Sequence, residues 1–212
     1  MCTGRVDLSH FFHAFSKGID GVFIGGCRLS ECSYSTHGNY HALNLSLFGR
    51  KIMEEIGLYP ERLKIEFMSS GEGQLFVKAT NVFIEKVREL GKIGVSEGLE
   101  EDSLNLKLNA VKHLIPYLRL VENERFRANF ETKEEIEKYY SSEEFYKLFR
   151  ELVLEKLAVA QIMLLLREKP LSTEEISNIT GMSSSEISRH LNYSSKQGFI
   201  RFDEEQMRFA IA

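Results

Sequence analysis

The 212-residue chain has no tryptophan, three prolines and three cysteines. So few prolines leave little to interrupt regular structure, and a packed fold is expected rather than disorder. An odd number of cysteines without framework spacing argues against a disulfide-stapled domain. It leaves thiols, metal ligands or catalytic groups. No apolar run approaches the ~20 residues that span a bilayer, and the N-terminal stretch Met1 to Phe15 lacks the layout of a secretory signal. A cytoplasmic chain with no membrane partner is therefore expected. Excess positive charge is absent too: 27 Lys and Arg against 31 Asp and Glu give a net charge of −4, with no general pull toward nucleic acid or anionic lipid.

What is present is a succession of periodic segments. Val6 to Gly18 reads as a helix with Asp7 as N-cap, a stripe of Leu8, Phe11, Phe12 and Phe15, and Gly18 past its end. The glycine-bounded run Asp20 to Gly26 reads as a strand. Tyr40 to Ile56 predicts a helix ended by Gly57 and Pro60, and Leu63 to Met68 a second strand. A third helix over Gly73 to Leu90 carries Phe76, Val77, Thr80, Phe83, Ile84 and Val87 at core spacing, and Gly91 stops it. Alternating helices and strands imply crossovers and a small parallel sheet with helices on its faces, so the fold class is α/β. Sites in such folds gather at the carboxyl ends of strands.

Residues 92–141 change character: an acidic linker, then a helical stretch from Leu104 to about Val121, broken or kinked near Pro116. From 142 to 212 the order is a long helix, a helix capped by Ser172 or Thr173, a turn at Gly181, a helix through Lys196 capped by Ser183 or Ser184, and a hairpin. That is the layout of an α+β winged helix-turn-helix. Its presumed recognition helix offers Ser184, Ser185, Arg189, His190, Asn192 and Lys196 to phosphates or bases. Yet Glu143 to Ala212 holds 9 Lys and Arg against 11 Asp and Glu, a weak electrostatic footprint for DNA. Docking to protein, including a homodimer through this domain, is weighed ahead of DNA contact.

Cys27 and Cys32 stand in the loop after the first strand. Cys2 falls where a preceding strand would be ending, so the three thiols converge on one sheet edge. Three such thiols suit zinc or an iron-sulfur cluster. The alternatives are small buried hydrophobes, or a catalytic thiol activated by Arg28, His37 or His41. Four residues between Cys27 and Cys32 leave these readings open.

Residues 1–91 resemble the delta subunit of methyl-viologen-reducing hydrogenase. The likeness rests on Met1-Cys2-x-Gly4-Arg5-Val6-Asp7, Asp20-Gly21-Val22, Gly26-Cys27, Cys32-x-Tyr34, Gly38-Asn39-Tyr40 and Pro60-Glu61-Arg62. It implies a 2Fe-2S cluster with Cys2, Cys27 and Cys32 as ligands. It also implies a role in electron transfer between hydrogenase or another dehydrogenase module and heterodisulfide reductase. Family members usually carry an upstream segment with further cysteines and the first strand. The fourth ligand is accordingly expected from that segment if Met1 is internal, from another polypeptide, or from His37 or water. The family often has His where Arg28 and Ser33 stand. The organisation expected is 1–91 iron-sulfur domain, 92–141 helical connector and 142–212 winged helix. A redox- or metal-responsive transcription regulator is the alternative function.

Overall fold

The computed structural model describes residues 2–29, 31–34, 38–127 and 132–212. Asp7 starts helix α1 (Leu8–Ser16) by accepting the Ser9 N–H at 2.8 Å, while His10 Nδ1 accepts the Asp7 N–H at 3.1 Å. That reciprocal box satisfies donors a helix start leaves open. His10 is thus a capping residue, and Leu8, Phe11, Phe12 and Phe15 are all buried. Strand β1 (Val22–Gly26) pairs in parallel with β2 (Leu63–Phe67), from Val22 opposite Leu63 to Gly26 opposite Phe67. Helix α2 (Asn39–Glu55) makes the crossover. Among the described residues this sheet has two strands.

Helix α3 (Gly73–Leu90) spans the expected range but does not bury the expected face. Only Phe83 is buried; Leu75, Phe76, Val77, Val82 and Ile84 remain exposed. The spacing is real. The two strands described are too few to cover it.

Helix α4 (Glu101–Val121) continues through Pro116 without the break that the sequence allowed there. Pro116 lies on the exposed side of the helix, where water can serve the carbonyl group that proline leaves without an N–H partner. A π-helical turn (Glu122–Phe126) follows, then α5 (Lys133–Tyr140), α6 (Glu143–Phe149), a second π turn (Arg150–Leu154) and α7 (Glu155–Glu168). The last three form the long helix expected from sequence. The larger core runs from Leu8 to Leu157 and includes Phe48, Phe126, Phe145 and Phe149, whose rings stack and tilt with Phe126 5.1 Å from Phe48. Because α6 buries Phe145 and Phe149 there, the boundary drawn at 141/142 lies inside this core.

The smaller core starts at Ile162 and joins α7 to α8 (Thr173–Thr180), α9 (Ser184–Lys196) and the β3–β4 hairpin (Ile200–Asp203, Arg208–Ile211). Ser172 and Ser183 are the caps, each closing a box with the glutamate three positions inside the helix. Gly181 takes φ +75° at the turn, a left-handed conformation that favours glycine. A bridge from Leu171 to Phe209 adds the short third strand of a winged helix. No described helix is long and apolar enough to cross a membrane.

Candidate functional site

The three cysteines converge. Cys2 caps a 3-10 turn (Thr3–Arg5), Cys27 directly follows β1, and Cys32 sits before the α2 N-terminus. Cys2 Sγ and Cys32 Sγ are 3.9 Å apart. Two thiolates on one tetrahedral ion, each ~2.3 Å from it, stand ~3.8 Å apart, so the pair is spaced for shared ligation. Cys27 is close enough for its sulfur to interact with both. All three remain free thiols. No three His, Cys, Asp or Glu side chains among the described residues surround one point as ligands of a single ion would. His37, the candidate fourth ligand, lies outside the described residues, as does Met1.

The surroundings differ from thiol to thiol. Burial pushes the Cys27 thiol up, and its neighbours Cys32 and Cys2 push it further. Burial also raises Cys32, but the backbone N–H groups of Tyr34 and Asn39, with help from the other thiols, outweigh it and hold Cys32 below the ordinary thiol range. Asn39 is the first residue of α2, so Cys32 also faces the positive end of that helix. Gly4 N–H points at Cys2 Sγ at 3.4 Å.

Asn39, Thr3 and Glu72 help build this site without being singled out for it in the sequence, whereas Gly38 is expected to let backbone approach the sulfurs and Arg28 is a candidate thiol activator. Asn39 Nδ2 donates to Cys27 O at 3.0 Å and Arg28 O at 2.5 Å, and lies 3.6 Å from Cys27 Sγ. Thr3 Oγ1 donates to Gly25 O at 2.9 Å, tying the Cys2 turn to β1. At Gly38 an added Cβ would lie 2.3 Å from Cys32 Sγ and 2.4 Å from Tyr34 O. Gly38 is therefore required by close approach of sulfur and backbone. Arg28 forks onto Glu72, with Nε 2.9 Å from Oε2, and so clamps the Cys27 loop to the start of α3. Of these residues only Gly38 and Asn39 fall in a family motif, and nothing in the sequence points to Thr3 or Glu72.

On the winged helix, Ser184, Ser185, Asn192 and Lys196 are exposed along α9. The other two DNA candidates are engaged internally. Arg189 Nη2 bonds Glu155 Oε1 at 2.8 Å. His190 is buried, with Nδ1 3.7 Å from Glu155 Oε2, and burial lowers its pKa. These contacts border a groove of about 580 Å³ between α9 and the α6–α7 segment.

A three-thiol site beside the carboxyl end of β1, joined through a helical segment to a winged helix, defines a two-part class of protein. Comparisons with known proteins specify both parts. Residues 1–91 match the family profile described as methyl-viologen-reducing hydrogenase, delta subunit, and residues 158–201 match bacterial regulatory protein, arsR family. The iron-sulfur subunit of the vhu F420-non-reducing hydrogenase of Methanopyrus kandleri is 41% identical over 92 residues, 43% of this chain and 69% of its own length. The corresponding iron-sulfur subunit of the F420-non-reducing hydrogenase of Archaeoglobus profundus is 39% identical over 90 residues, 42% of this chain and 65% of its own length. One subunit of the ferredoxin:CoB-CoM heterodisulfide reductase of Methanosarcina mazei is 36% identical over 108 residues, 48% of this chain but 14% of its own length. The chain thus spans about two thirds of the hydrogenase subunits and a small part of the reductase polypeptide. Through residues 1–91 it belongs to the methyl-viologen-reducing hydrogenase delta subunit family.

Proposed function

We propose that the chain is an electron-transfer subunit whose N-terminal domain holds a 2Fe-2S cluster on Cys2, Cys27 and Cys32. Its partners are subunits of a hydrogenase or related dehydrogenase on one side and of a heterodisulfide reductase on the other. The observation that carries this reading is the convergence of three thiols inside the segment shared with hydrogenase and reductase subunits. The donor set fits the group: soft thiolates suit iron-sulfur ligation. The Gly38 notch leaves room for Cys32 sulfur against the backbone. A cluster supplies one-electron storage near a docking surface. The chain's own residues hold it and tune it, with N–H groups of Gly4, Tyr34 and Asn39 directed at sulfur and raising the potential by favouring added negative charge. The fourth ligand comes from an upstream segment if Met1 is internal, from another polypeptide, or from His37 or water.

Anaerobic affinity purification of the chain from its own cells tests the partnership. Hydrogenase or heterodisulfide reductase subunits are expected in the eluate. Their absence, with the chain alone or with DNA recovered, contradicts the proposal.

A second reading is favoured by the arsR-type match over residues 158–201: a redox- or metal-responsive regulator in which the thiol site senses and α9 reads DNA. Ser184, Ser185, Asn192 and Lys196 would make the contacts, and Arg189 would first have to leave Glu155. A gel-shift assay at low salt decides it. Binding with a steep salt slope supports the regulator, and no shift at micromolar protein removes it.

A further inference from the structure

We propose that the chain forms a homodimer through the edge of β2 that no strand covers among the described residues, two copies joining antiparallel across a two-fold axis at Ile65. Neither the cluster nor the electron-transfer reading is needed for this inference.

The backbone phase comes first. Met68 N–H donates to Gly26 O at 2.8 Å, and Gly26 pairs with Phe67. In a parallel ladder, alternate residues face the same neighbour. Lys64 and Glu66 therefore spend their backbone groups on β1, whereas Ile65 and Phe67 direct theirs outward with the Leu63 carbonyl. Leu63 N–H is used locally, on Pro60 O. An antiparallel partner centred on Ile65 sets Ile65 against its own copy and Phe67 against Leu63 of the other chain. Those are the pairs whose backbone groups face out. Each strand donates from Ile65 and Phe67 and accepts at Ile65 and Leu63.

The side chains match the same register. Lys64 and Glu66 point to one face, with Nζ 3.3 Å from Oε2 and side chains 47% and 37% exposed. Across the axis Lys64 falls opposite Glu66 of the second copy, and Glu66 opposite Lys64. These are non-hydrogen-bonded positions, where side chains approach most closely. Lysine on a strand edge blocks pairing with apolar strands. Lys-Ile-Glu read backwards is complementary to itself, so the same residues select a second copy.

The surface beside the strand is unfilled. A groove of about 470 Å³ runs along this edge, lined by Leu63, Lys64 and Glu66 and by Leu75, Ala79 and Val82 of α3. Leu75 and Val82 are 41% and 63% exposed. The two-fold brings this stripe against the same stripe of the second copy, covering apolar surface that a monomer leaves wet. Lys78 and Lys86 sit at the groove rim, where their charged heads reach water.

The test is a charge swap read by sedimentation and light scattering on the full chain at 1 to 100 µM. The native chain is expected to be dimeric at the upper end. Lys64→Glu places two glutamates together twice across the axis, and Glu66→Lys two lysines. Each is expected to raise the dimer dissociation constant about tenfold or more. The double variant restores opposite charges at both positions and is expected to recover the dimer. Hydrogen exchange of the unaltered chain is a second reading that needs no variant: Ile65 and Phe67 amides should gain protection with concentration. A chain monomeric at 100 µM overturns the proposal. So does a dimer indifferent to both single reversals, or one whose Ile65 and Phe67 amides exchange freely.

Discussion

Arg62 is fully buried, and its head donates all five N–H groups: Nε to Glu97 Oε1 at 2.6 Å, Nη1 to Asp20 O at 3.0 Å and Gly91 O at 2.8 Å, Nη2 to Leu90 O at 3.3 Å and Glu97 Oε2 at 3.1 Å. Glu97, 1% exposed, also accepts the N–H groups of Tyr59 at 3.2 Å and Gly94 at 2.9 Å. One guanidinium thus ties β2, the loop before β1 and the end of α3 to the segment that leads into α4. Arg62→Met keeps the stem but leaves three carbonyl groups unpaired and Glu97 as a lone buried charge. Breaking such a pair costs about 3–5 kcal/mol, a large share of the 5–15 kcal/mol typical of folded proteins. With a urea dependence of roughly 2 kcal/mol per molar, the midpoint should fall by roughly 1.5–2.5 M. Circular dichroism measures the shift. Hydrogen exchange should place it in the larger core and leave the winged helix unchanged. Removing both charges, in Arg62→Met with Glu97→Met, should recover at least 1 kcal/mol over additivity. A single-variant loss below 1 kcal/mol, or strict additivity, would refute the clamp.

Gly38→Ala forces Cys32 or the Tyr34 carbonyl to move, since the new methyl would stand 2.3 Å from sulfur. It should cost about 1–3 kcal/mol and speed alkylation of Cys32, followed by mass spectrometry. Unchanged labelling and melting contradict the close approach. Asp7 is raised by burial, yet hydrogen bonds from Arg119 and Ser9 outweigh this and hold it at about 2. Its contribution is present above pH ~4 and lost as pH falls toward 2. Arg119 is 47% exposed, so solvent screening reduces the contribution to about 1 kcal/mol. Asp7→Asn, which still caps α1, should lower stability by that amount at pH 6 and by only a small fraction of it at pH 2. A pH-independent difference would show that the charge is irrelevant. Burial raises Glu122, against the Asn44 amide that donates to it at 2.6 Å. A raised carboxyl favours the folded state at low pH and loses that advantage as pH climbs through the shifted value. Glu122→Gln should therefore raise the melting temperature at pH 7 and leave it unchanged near pH 4. A lower melting temperature at pH 7 would mean that the ionised form is the favoured one.

Much of this architecture is legible in local chemistry. Asp7 announces a helix start, as do Ser172 or Thr173 and Ser183 or Ser184, Gly91 and Gly181 announce ends, and Asp20 to Gly26 and Leu63 to Met68 read as strands that the fold holds as Val22–Gly26 and Leu63–Phe67. Cys27 stands at the end of β1 as its apolar run suggests, while Cys2 reaches it from the cap of a 3-10 turn and not from a strand end. What local pattern does not reveal is what lies opposite. Phe76 and Ile84 have core spacing but no core, because periodicity describes one helix and not its neighbours. Arg62 and Glu97 are 35 residues apart, and Asn44 and Glu122 are 78 apart. Nothing near either residue signals its partner. Pro116 does not end α4, because a proline on the exposed side of a helix forfeits a bond that water replaces. Arg189 looked available for DNA because Glu155 sits on another helix.

The central claim is that Cys2, Cys27 and Cys32 hold a 2Fe-2S cluster, and iron and sulfide analysis with EPR on anaerobically purified protein tests it most directly. Visible absorption, two irons and two sulfides per chain in the assembled complex, and a reduced-state EPR signal are expected. Separate Cys2→Ser, Cys27→Ser and Cys32→Ser variants should lose or alter that signal. A preparation that stays iron-free and takes up zinc after reconstitution, alone and with its partners, would contradict the claim.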